Sequence, residues 1–591
     1  MNLGLLLIDL RFLMECIFYN NMEYVKQGVQ GEQRPVFNSL KGGYGNFLEL
    51  DDTEKKIINE DIFHFIINWG DTDFPEGKIR DLLNIDNYQL WYYQRFRVYF
   101  ELRNIFYEIA MLKKLESLGF HTVYLHSTFH YDRSSFISNL KIIEKEDKQN
   151  TLAIKKTYLL VYGFIFAWRA LIGKFRLFFN RDKRHLFLNS AIEQSVVKSD
   201  GEIKKDNPIL SYLFDELQNE DLILKEMLPP KGNQDLKSLK RYLSSSRKNV
   251  AEIPAESIFL EVILRKSLRK KYKKIYVQAK QKLEGLGKET SDPTQLLVLN
   301  LLWNYRSSNK YYILRFVGYQ HFFESNKLKS VTATDENGPL ARSVLDAAKI
   351  CKLKTFGVQH GAVHNLHPNY KFNKSDYNQM PDYTFVWGEK WKDLLITNGG
   401  YDHHKIRVTG QIRTDIIPHL KRTSRKSKKL QIVFASQPQR DAYLREQTAR
   451  DIFKAVNKLS YVSLKVKLHP VEQNDIAYYE KIAKQEGLFD LEFLNDAELY
   501  LVINQADVMI TSFSTVGTEA IYFHKPLIIY DPLKQDLQSY CSEGVGLPSV
   551  NSQDIYKLLK EMQQDAYVPN NNKYEVFIKE NAYKIDGKTE R

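Results

Sequence analysis

Val466-Lys467-Leu468-His469-Pro470 is followed in this chain by Thr511-Ser512-Phe513-Ser514-Thr515-Val516-Gly517-Thr518-Glu519-Ala520, and then by Lys525-Pro526-Leu527-Ile528-Ile529. Each of the first two stretches reads as an apolar strand running into a loop that opens with a cationic or hydroxyl side chain. That is how α/β folds hold a nucleotide phosphate at the carboxyl ends of their strands. The pairing points to an enzyme with a nucleotide-activated donor.

Outward from this pair the alternation continues. Apolar runs at 430–435, 462–468, 491–494, 508–511 and 527–530 read as strands, and the segments 449–459, 476–486, 497–504 and 517–523 between them read as helices. Toward the N-terminus the same rhythm recurs, with strands at 185–189, 330–334, 355–358, 383–387 and 405–409 and helices at 340–351 and 389–398. Strands alternating with helices imply βαβ units and a parallel sheet. The basic stretch Lys421 to Lys429 reads as a linker. The expected fold class is therefore α/β, with two Rossmann-like doubly wound domains at 181–420 and 421–575 facing a cleft, and a tail at 576–591. Residues 1–180 carry long Leu, Ile, Phe and Tyr periodicity, as at 92–115, and few clear strands; they read as a mostly helical extension.

Length and composition agree with this frame. A chain of 591 residues is too long for one core and suggests about three domains. Hydrophobic residues at 43% and charged residues at 27% are ordinary for a folded globular protein. The net charge of +13 favours a polyanionic partner: nucleic acid, an anionic membrane face or a phosphorylated substrate. No Gly-aromatic RNA-binding motif is present, so nucleic acid is not expected. Cys16, Cys351 and Cys541 are isolated thiols, which argues against a disulfide framework or a zinc site.

The first nineteen residues include Asp9, Arg11 and Glu15 within their apolar stretch and make a poor signal peptide. The segment Tyr158 to Trp168 is apolar, too short to span a bilayer, and flanked by Lys155, Lys156, Arg169, Lys174 and Arg176. Two readings fit: a buried core helix, or a helix at 155–179 lying in an anionic headgroup layer. The run Arg265 to Lys274 reads as a solvated helical face or as an addition to such a contact.

Within the proposed cleft, His469 would project from the carboxyl end of a strand that Pro470 terminates. An imidazole titrating near neutrality suits hydrogen bonding to a leaving phosphate, although a loop histidine can equally be only structural. Ser512, Ser514 and Thr515 would place three hydroxyls beside the free N–H groups of the following helix. Glu519, on its first turn, could complement the helix dipole or accept hydrogen bonds from ribose.

These elements, with Val408-Thr409-Gly410-Gln411-Ile412-Arg413-Thr414-Asp415, resemble the donor domain and domain-closing segment of GT-B glycosyltransferases in the CDP-glycerol glycerophosphotransferase, bacterial polysialyltransferase and capsule Kdo-transferase group. The resemblance spans about residues 330 to 535. It implies that His469, Ser512, Ser514 and Thr515 hold the donor phosphates, with Pro470 and Glu519 beside them. Asp335-Glu336-Asn337-Gly338 is similar to the acidic motif of polysialyltransferases, with Asn337 as an extra residue; a helix N-cap is the bland alternative. Gln359-His360-Gly361 is similar to the Trp-His-Gly of glycerophosphotransferases, with Gln in place of Trp. Asp335, Glu336 and His360 are thus all candidates for the base that activates an acceptor, and His469 is the fourth catalytic candidate. His364 and His367-Pro368 share the His360 loop without a preceding strand.

Asp71-Thr72-Asp73 matches the metal-binding Asp-x-Asp of another glycosyltransferase fold, but lies outside any βαβ context and reads as a surface loop. No metal and no cofactor are expected, with helix dipole and histidine acting at the leaving group. The resemblance implies an inverting transferase of bacterial surface polysaccharide synthesis. Its partners would be a CMP- or CDP-activated donor (a UDP-sugar being the alternative), a glycan or lipid-linked acceptor, and the inner face of the cell membrane. The competing readings are a UDP-sugar 2-epimerase-like enzyme and a non-catalytic polyanion-binding protein that kept the fold.

Overall fold

A computed structural model gives the architecture. It describes residues 15–19, 34–39, 46–127, 129–144, 156–189, 193–227, 236, 239, 242, 250–363, 365–420, 429–438, 442–469, 472, 475–494, 497–564, 567 and 569–589. The expectations for most of the first nineteen residues, for the 421–429 linker up to residue 428, for His364 and for Pro470 lie outside the described residues.

Two parallel sheets form the two doubly wound units. The first has seven strands in the order Ala251–Pro254, Asp221–Lys225, His185–Asn189, Ser330–Thr334, Lys354–Val358, Tyr383–Val386, Ile406–Val408. The second has six, in the order Leu491–Phe493, Val462–Lys467, Leu430–Ala435, Val508–Thr511, Leu527–Tyr530, Leu547–Ser549. In chain order each runs third, second, first, fourth, fifth, sixth, the Rossmann order, and the first sheet adds a seventh strand at its edge. The strand order reverses between the first and fourth strands, the switch point at which such sheets bind ligands. The central strands Ser330–Thr334, Val508–Thr511 and Leu527–Tyr530 are buried at every position. Burial on both faces explains why Leu527–Tyr530 reads as an unbroken apolar run, whereas Ser330–Thr334 also buries Ser330, Thr332 and Thr334.

The front of the chain differs from the expectation. Beside its helices, Asp52–Trp69 and Leu90–Ser117, lies a five-stranded parallel sheet made of Asn46–Phe47, Val36–Asn38, Glu15–Tyr19, Thr122–His126 and Lys141–Glu144. These strands have five residues or fewer, too few to compete with the long helical periodicity around them. The front also shares one continuous apolar core with the first Rossmann-like sheet: Trp91, Tyr93 and Leu102 pack in the same cluster as Val331, Val344 and Leu345. Gln94 Nε2 donates to Asn309 Oδ1 at 2.6 Å across that join. Asp71 lies in the partly exposed turn after Asp52–Trp69, where it pairs with Arg80 and accepts from Asn373 Nδ2 at 2.8 Å, pinning the front to the first domain.

Two helices tie these parts together. The helix Lys156–Phe179 packs on the first Rossmann-like unit, with Gly173 so close to Pro254 and Ser257 that a Cβ there would meet Ser257 Cβ at 2.7 Å. The helix Asn571–Ala582 runs through the expected 575/576 boundary and touches both units. Trp391 Nε1 donates to the Asn581 carbonyl at 3.0 Å, and Tyr574 Oη donates to the Lys525 carbonyl at 3.2 Å.

Candidate functional site

A cleft of about 1100 Å³ lies between the carboxyl ends of the two sheets. Its second-domain wall includes Ser436 and Gln437 after the first strand, Lys467 at the end of the second and His469 after it, and Phe513, Ser514 and Thr515 after the fourth. Its first-domain wall includes His360 and Gly361 after Lys354–Val358, Trp387 after Tyr383–Val386, and Gly410 to Arg413. The residues at the switch point of the second sheet therefore face those at the strand ends of the first, where open α/β sheets bind their ligands.

His469 is held from behind. Its backbone N–H donates to Ser436 Oγ at 3.0 Å, and Ser436 Oγ donates to Glu472 Oε2 at 2.6 Å. Glu472, 2% exposed, also accepts from Tyr479 Oη at 2.8 Å and pairs with Arg445 Nε at 2.7 Å. Partial burial lowers the His469 pKa and Lys467 lowers it further, while Glu472 opposes them. At neutral pH the ring is thus an uncharged hydrogen-bonding group next to a lysine. Ser436, Glu472 and Arg445 escaped the sequence reading; the one signal was an acidic residue three positions after the strand-end histidine.

The hydroxyl turn is more selective than its sequence suggests. Ser514 and Thr515 line the cleft, but Ser512 does not; it borders a small separate pocket with Thr448 and Tyr530. The expected cradle of free helix N–H groups is also largely occupied. Val516 N–H donates to Ser514 Oγ at 3.3 Å, Gly517 N–H to the Ser514 carbonyl at 3.0 Å, and Thr518 N–H to Tyr540 Oη at 3.0 Å. Tyr540 Oη in turn donates to the Ser514 carbonyl at 2.9 Å and so fixes the turn.

Glu519 stands on the first turn of its helix and lines the cleft, as expected, but its carboxylate is also engaged from the first domain. Its carboxylate meets Arg413 Nη1 at 3.5 Å, and Arg413 Nη2 meets Glu498 Oε1 at 3.3 Å. The guanidinium also lies over the Tyr500 ring, 4.4 Å from its centre. Burial raises the Glu519 carboxyl, Arg413 lowers it and Glu498 raises it again. Arg413 thus joins the end of the first domain to the second domain beneath the cleft.

On the opposite wall the three acidic or imidazole candidates separate. His360 lines the cleft. Its Nδ1 has Tyr370 Oη at 3.4 Å and Asp335 Oδ1 at 3.7 Å, an arrangement that leaves Nε2 for the cleft. Asp335 adopts φ +53°, a conformation that a non-glycine residue holds only when its surroundings impose it. Gly338 makes this turn workable, since a Cβ there would stand 2.2 Å from Asp335 Oδ2. Glu336 lies outside the cleft lining, in the interior: it is 2% exposed, neither carboxylate oxygen has a hydrogen-bond partner in another of the described residues, and Gly357 leaves it room. Burial pushes its carboxyl up to about 7; its own backbone N–H and Arg342 oppose this and Asp335 adds to it.

The two departures from the motifs have structural roles. Asn337 Nδ2 donates to Tyr401 Oη at 2.8 Å while Arg342 Nη2 donates to Asn337 Oδ1 at 3.2 Å. Gln359 Oε1 accepts from the Trp387 backbone N–H at 2.9 Å, and its carbonyl accepts from Trp387 Nε1 at 3.1 Å, locking the His360 loop to the next strand. His367 stacks on Phe96 with ring centres 5.0 Å apart and belongs to the packing between front and first domain. Among the described residues, Asp402, His403 and His404 bring potential metal-ligating atoms within 4.8 Å of one another. They form a surface turn in which Asp402 caps His404 N–H, and they do not line the cleft.

No protein-family model and no curated protein sequence matches the chain. Among solved structures it is similar to the UDP-GlcNAc 2-epimerase of Neisseria meningitidis bound to UDP-GlcNAc, with 12% identity, 69% of this chain and 97% of that one covered, and a TM-score of 0.43. It is also similar to a UDP-N-acetylglucosamine 2-epimerase from Listeria monocytogenes, described there as putative, with 11% identity, 69% and 94% covered, and a TM-score of 0.41. A third similar structure is that of the wall teichoic acid polymerase TagF, with 11% identity, 74% and 96% covered, and a TM-score of 0.39. Likenesses of this order concern the path of the chain and leave its chemistry to its own residues. The fold itself is two facing Rossmann-like parallel sheets to which an additional N-terminal region is joined.

Proposed function

We propose that the chain is a transferase that moves a sugar or polyol-phosphate unit from a nucleotide-activated donor to an acceptor hydroxyl. The observation that carries this reading is one cleft with His360 on its first-domain wall and Lys467, His469, Ser514 and Thr515 on its second. A cleft of this size can hold a nucleotide and the group attached to it.

The proposed reaction follows from that placement. Asp335 and Tyr370 hold the Nδ1 side of His360, and Nε2 takes the proton of the acceptor hydroxyl. The acceptor oxygen bonds to the transferred carbon or phosphorus as the bond from that atom to the donor phosphate oxygen breaks. The nucleotide leaves with the electron pair, and its new charge meets Lys467, the His469 N–H and the Ser514 and Thr515 hydroxyls. Glu336, buried and outside the cleft, has no direct part in this scheme. The resemblance in sequence favours a cytidine donor and a surface-polysaccharide acceptor.

Thermal-shift titration with CMP, CDP, UDP and GDP tests the reading. A nucleotide at about 100 times its dissociation constant should add roughly 2.7 kcal/mol, and His469→Ala should remove most of that gain. The absence of any shift in the wild type would overturn the proposal. Conversion of a UDP-sugar to its 2-epimer without an acceptor would reassign the cleft to epimerase chemistry.

A further inference from the structure

The helix Lys156–Phe179 is built inside out for a surface facing water. Its buried positions are Tyr158, Ile165, Arg169, Ala170 and Gly173. On that inner side Arg169 Nε donates to Glu256 Oε2 at 2.9 Å, and its Nη atoms donate to the carbonyls of Tyr242 at 2.9 Å and Lys225 at 3.0 Å. The opposite stripe, Leu160, Phe164, Trp168, Leu171, Phe175 and Phe178, carries no charge; Leu160 is 75%, Phe164 73% and Phe175 68% exposed. From residue 160 to 178 it runs about 27 Å along the helix axis. A charged group inside and aromatic groups outside reverse the usual amphipathic arrangement.

The patch continues onto a neighbouring helix and then turns basic. Lys174 Nζ lies 2.8 Å from Glu261 Oε1, which sets the helix Glu256–Leu264 alongside, and Ile263 and Leu264 at its end are exposed. Directly after them Arg265, Lys266, Arg269, Lys270 and Lys273 are all exposed at the start of the helix Lys266–Glu289. Arg181 lies over the Phe178 ring, 5.2 Å from its centre.

We propose that this surface docks onto an anionic lipid bilayer. The helix lies flat in the headgroup layer, its Leu, Phe and Trp stripe faces the acyl chains, and the adjoining Lys and Arg side chains meet lipid phosphates. By length and composition the helix could cross a membrane. Its inner stripe, however, is fastened to the first domain through Arg169 and the contact of Gly173 with Ser257, so it lies along the surface. The basic border selects an anionic bilayer over a second copy of this chain, whose net charge of +13 opposes self-association. This inference holds whether or not the cleft binds a nucleotide.

Flotation with phosphatidylcholine vesicles and with mixed phosphatidylcholine–phosphatidylglycerol vesicles tests it on the whole chain. The wild type should float with the mixed vesicles and far less with the neutral ones, and added salt should weaken binding. The triple variant Phe164→Gln/Leu171→Gln/Phe175→Gln changes only exposed positions and should lower the bound fraction by about tenfold or more. An unchanged melting temperature of that variant would show that its fold is intact. Bromine-labelled acyl chains should quench wild-type fluorescence, and Trp168→Phe should remove that quenching. A wild type that stays with the soluble fraction, a triple variant that floats equally well, or a salt-insensitive preference for neutral vesicles would each overturn the proposal. So would dimerisation in buffer that the triple variant abolishes, without vesicle binding, since it would assign the face to a second copy.

Discussion

Replacing Glu336 by Gln should alter the pH dependence of stability more than stability itself. The wild-type carboxyl is buried without a hydrogen-bond partner in another of the described residues, and burial pushes its pKa up to about 7 in the folded protein, against 4.5 when unperturbed. Its raised pKa means that the folded state keeps a proton which the unfolded chain releases. The corresponding stability is fully present below pH 4.5 and is lost as pH rises through about 7. At about 1.4 kcal/mol per pH unit, the full loss is roughly 3 kcal/mol, and about 2.5 kcal/mol of it falls between about pH 5 and about pH 8. Gln keeps the shape but cannot ionise, so any penalty for burying its amide is the same at both pH values. All six tryptophans, Trp69, Trp91, Trp168, Trp303, Trp387 and Trp391, precede the second sheet. Urea melts followed by tryptophan fluorescence therefore report on the half of the molecule that contains Glu336. Between the two pH values the variant should gain about 2.5 kcal/mol relative to the wild type. A difference that stays constant across this range would refute a buried, ionisation-resisting Glu336.

Three further outcomes are expected. His360→Gln should reduce turnover by roughly 10² to 10⁴-fold while nucleotide affinity stays within about twofold, and Asp335→Asn should do the same more weakly; loss of nucleotide binding in either variant would move these residues to the donor side. Burial lowers the His469 pKa below its usual 6.5, so the unliganded protein should lose stability as pH falls through that value. His469→Gln should flatten that limb of a thermal-melt pH series. Arg413→Met leaves Glu519 and Glu498 buried without their shared cation and should destabilise by about 3 to 5 kcal/mol. Adding Glu519→Gln should recover part of that loss in a double-mutant cycle, and strictly additive effects would count against the coupling.

How much was legible depended on the range of the interaction responsible. The strands Leu430–Ala435, Val508–Thr511 and Leu527–Tyr530 end where their largely apolar runs end, because both faces are buried everywhere except at the half-buried Gln431. The helix Ala442–Asn457 starts before the segment 449–459 that its apolar spacing suggests. Its added turns hold a long-range tie that local spacing does not show: Arg445 forms an ion pair with Asp475, the residue before the helix Ile476–Gln485. The sheet at the front remained hidden because strands of two to five residues carry little periodicity.

The sequence by itself determined the α/β alternation, the two strand-end loops carrying His469 and Ser514, and the placement of His360 after a strand, since these follow from short-range hydrophobic pattern and turn chemistry. Only the tertiary structure decided which neighbouring side chains share a site. Ser512 and Ser514 are two residues apart, yet only Ser514 lines the cleft. Asp335 turns toward His360 while Glu336 is buried beneath Gly357. Glu519 pairs with Arg413, 106 residues away. Side-chain direction at a strand end and pairing between distant charges depend on what folds against them, and no local pattern encodes either.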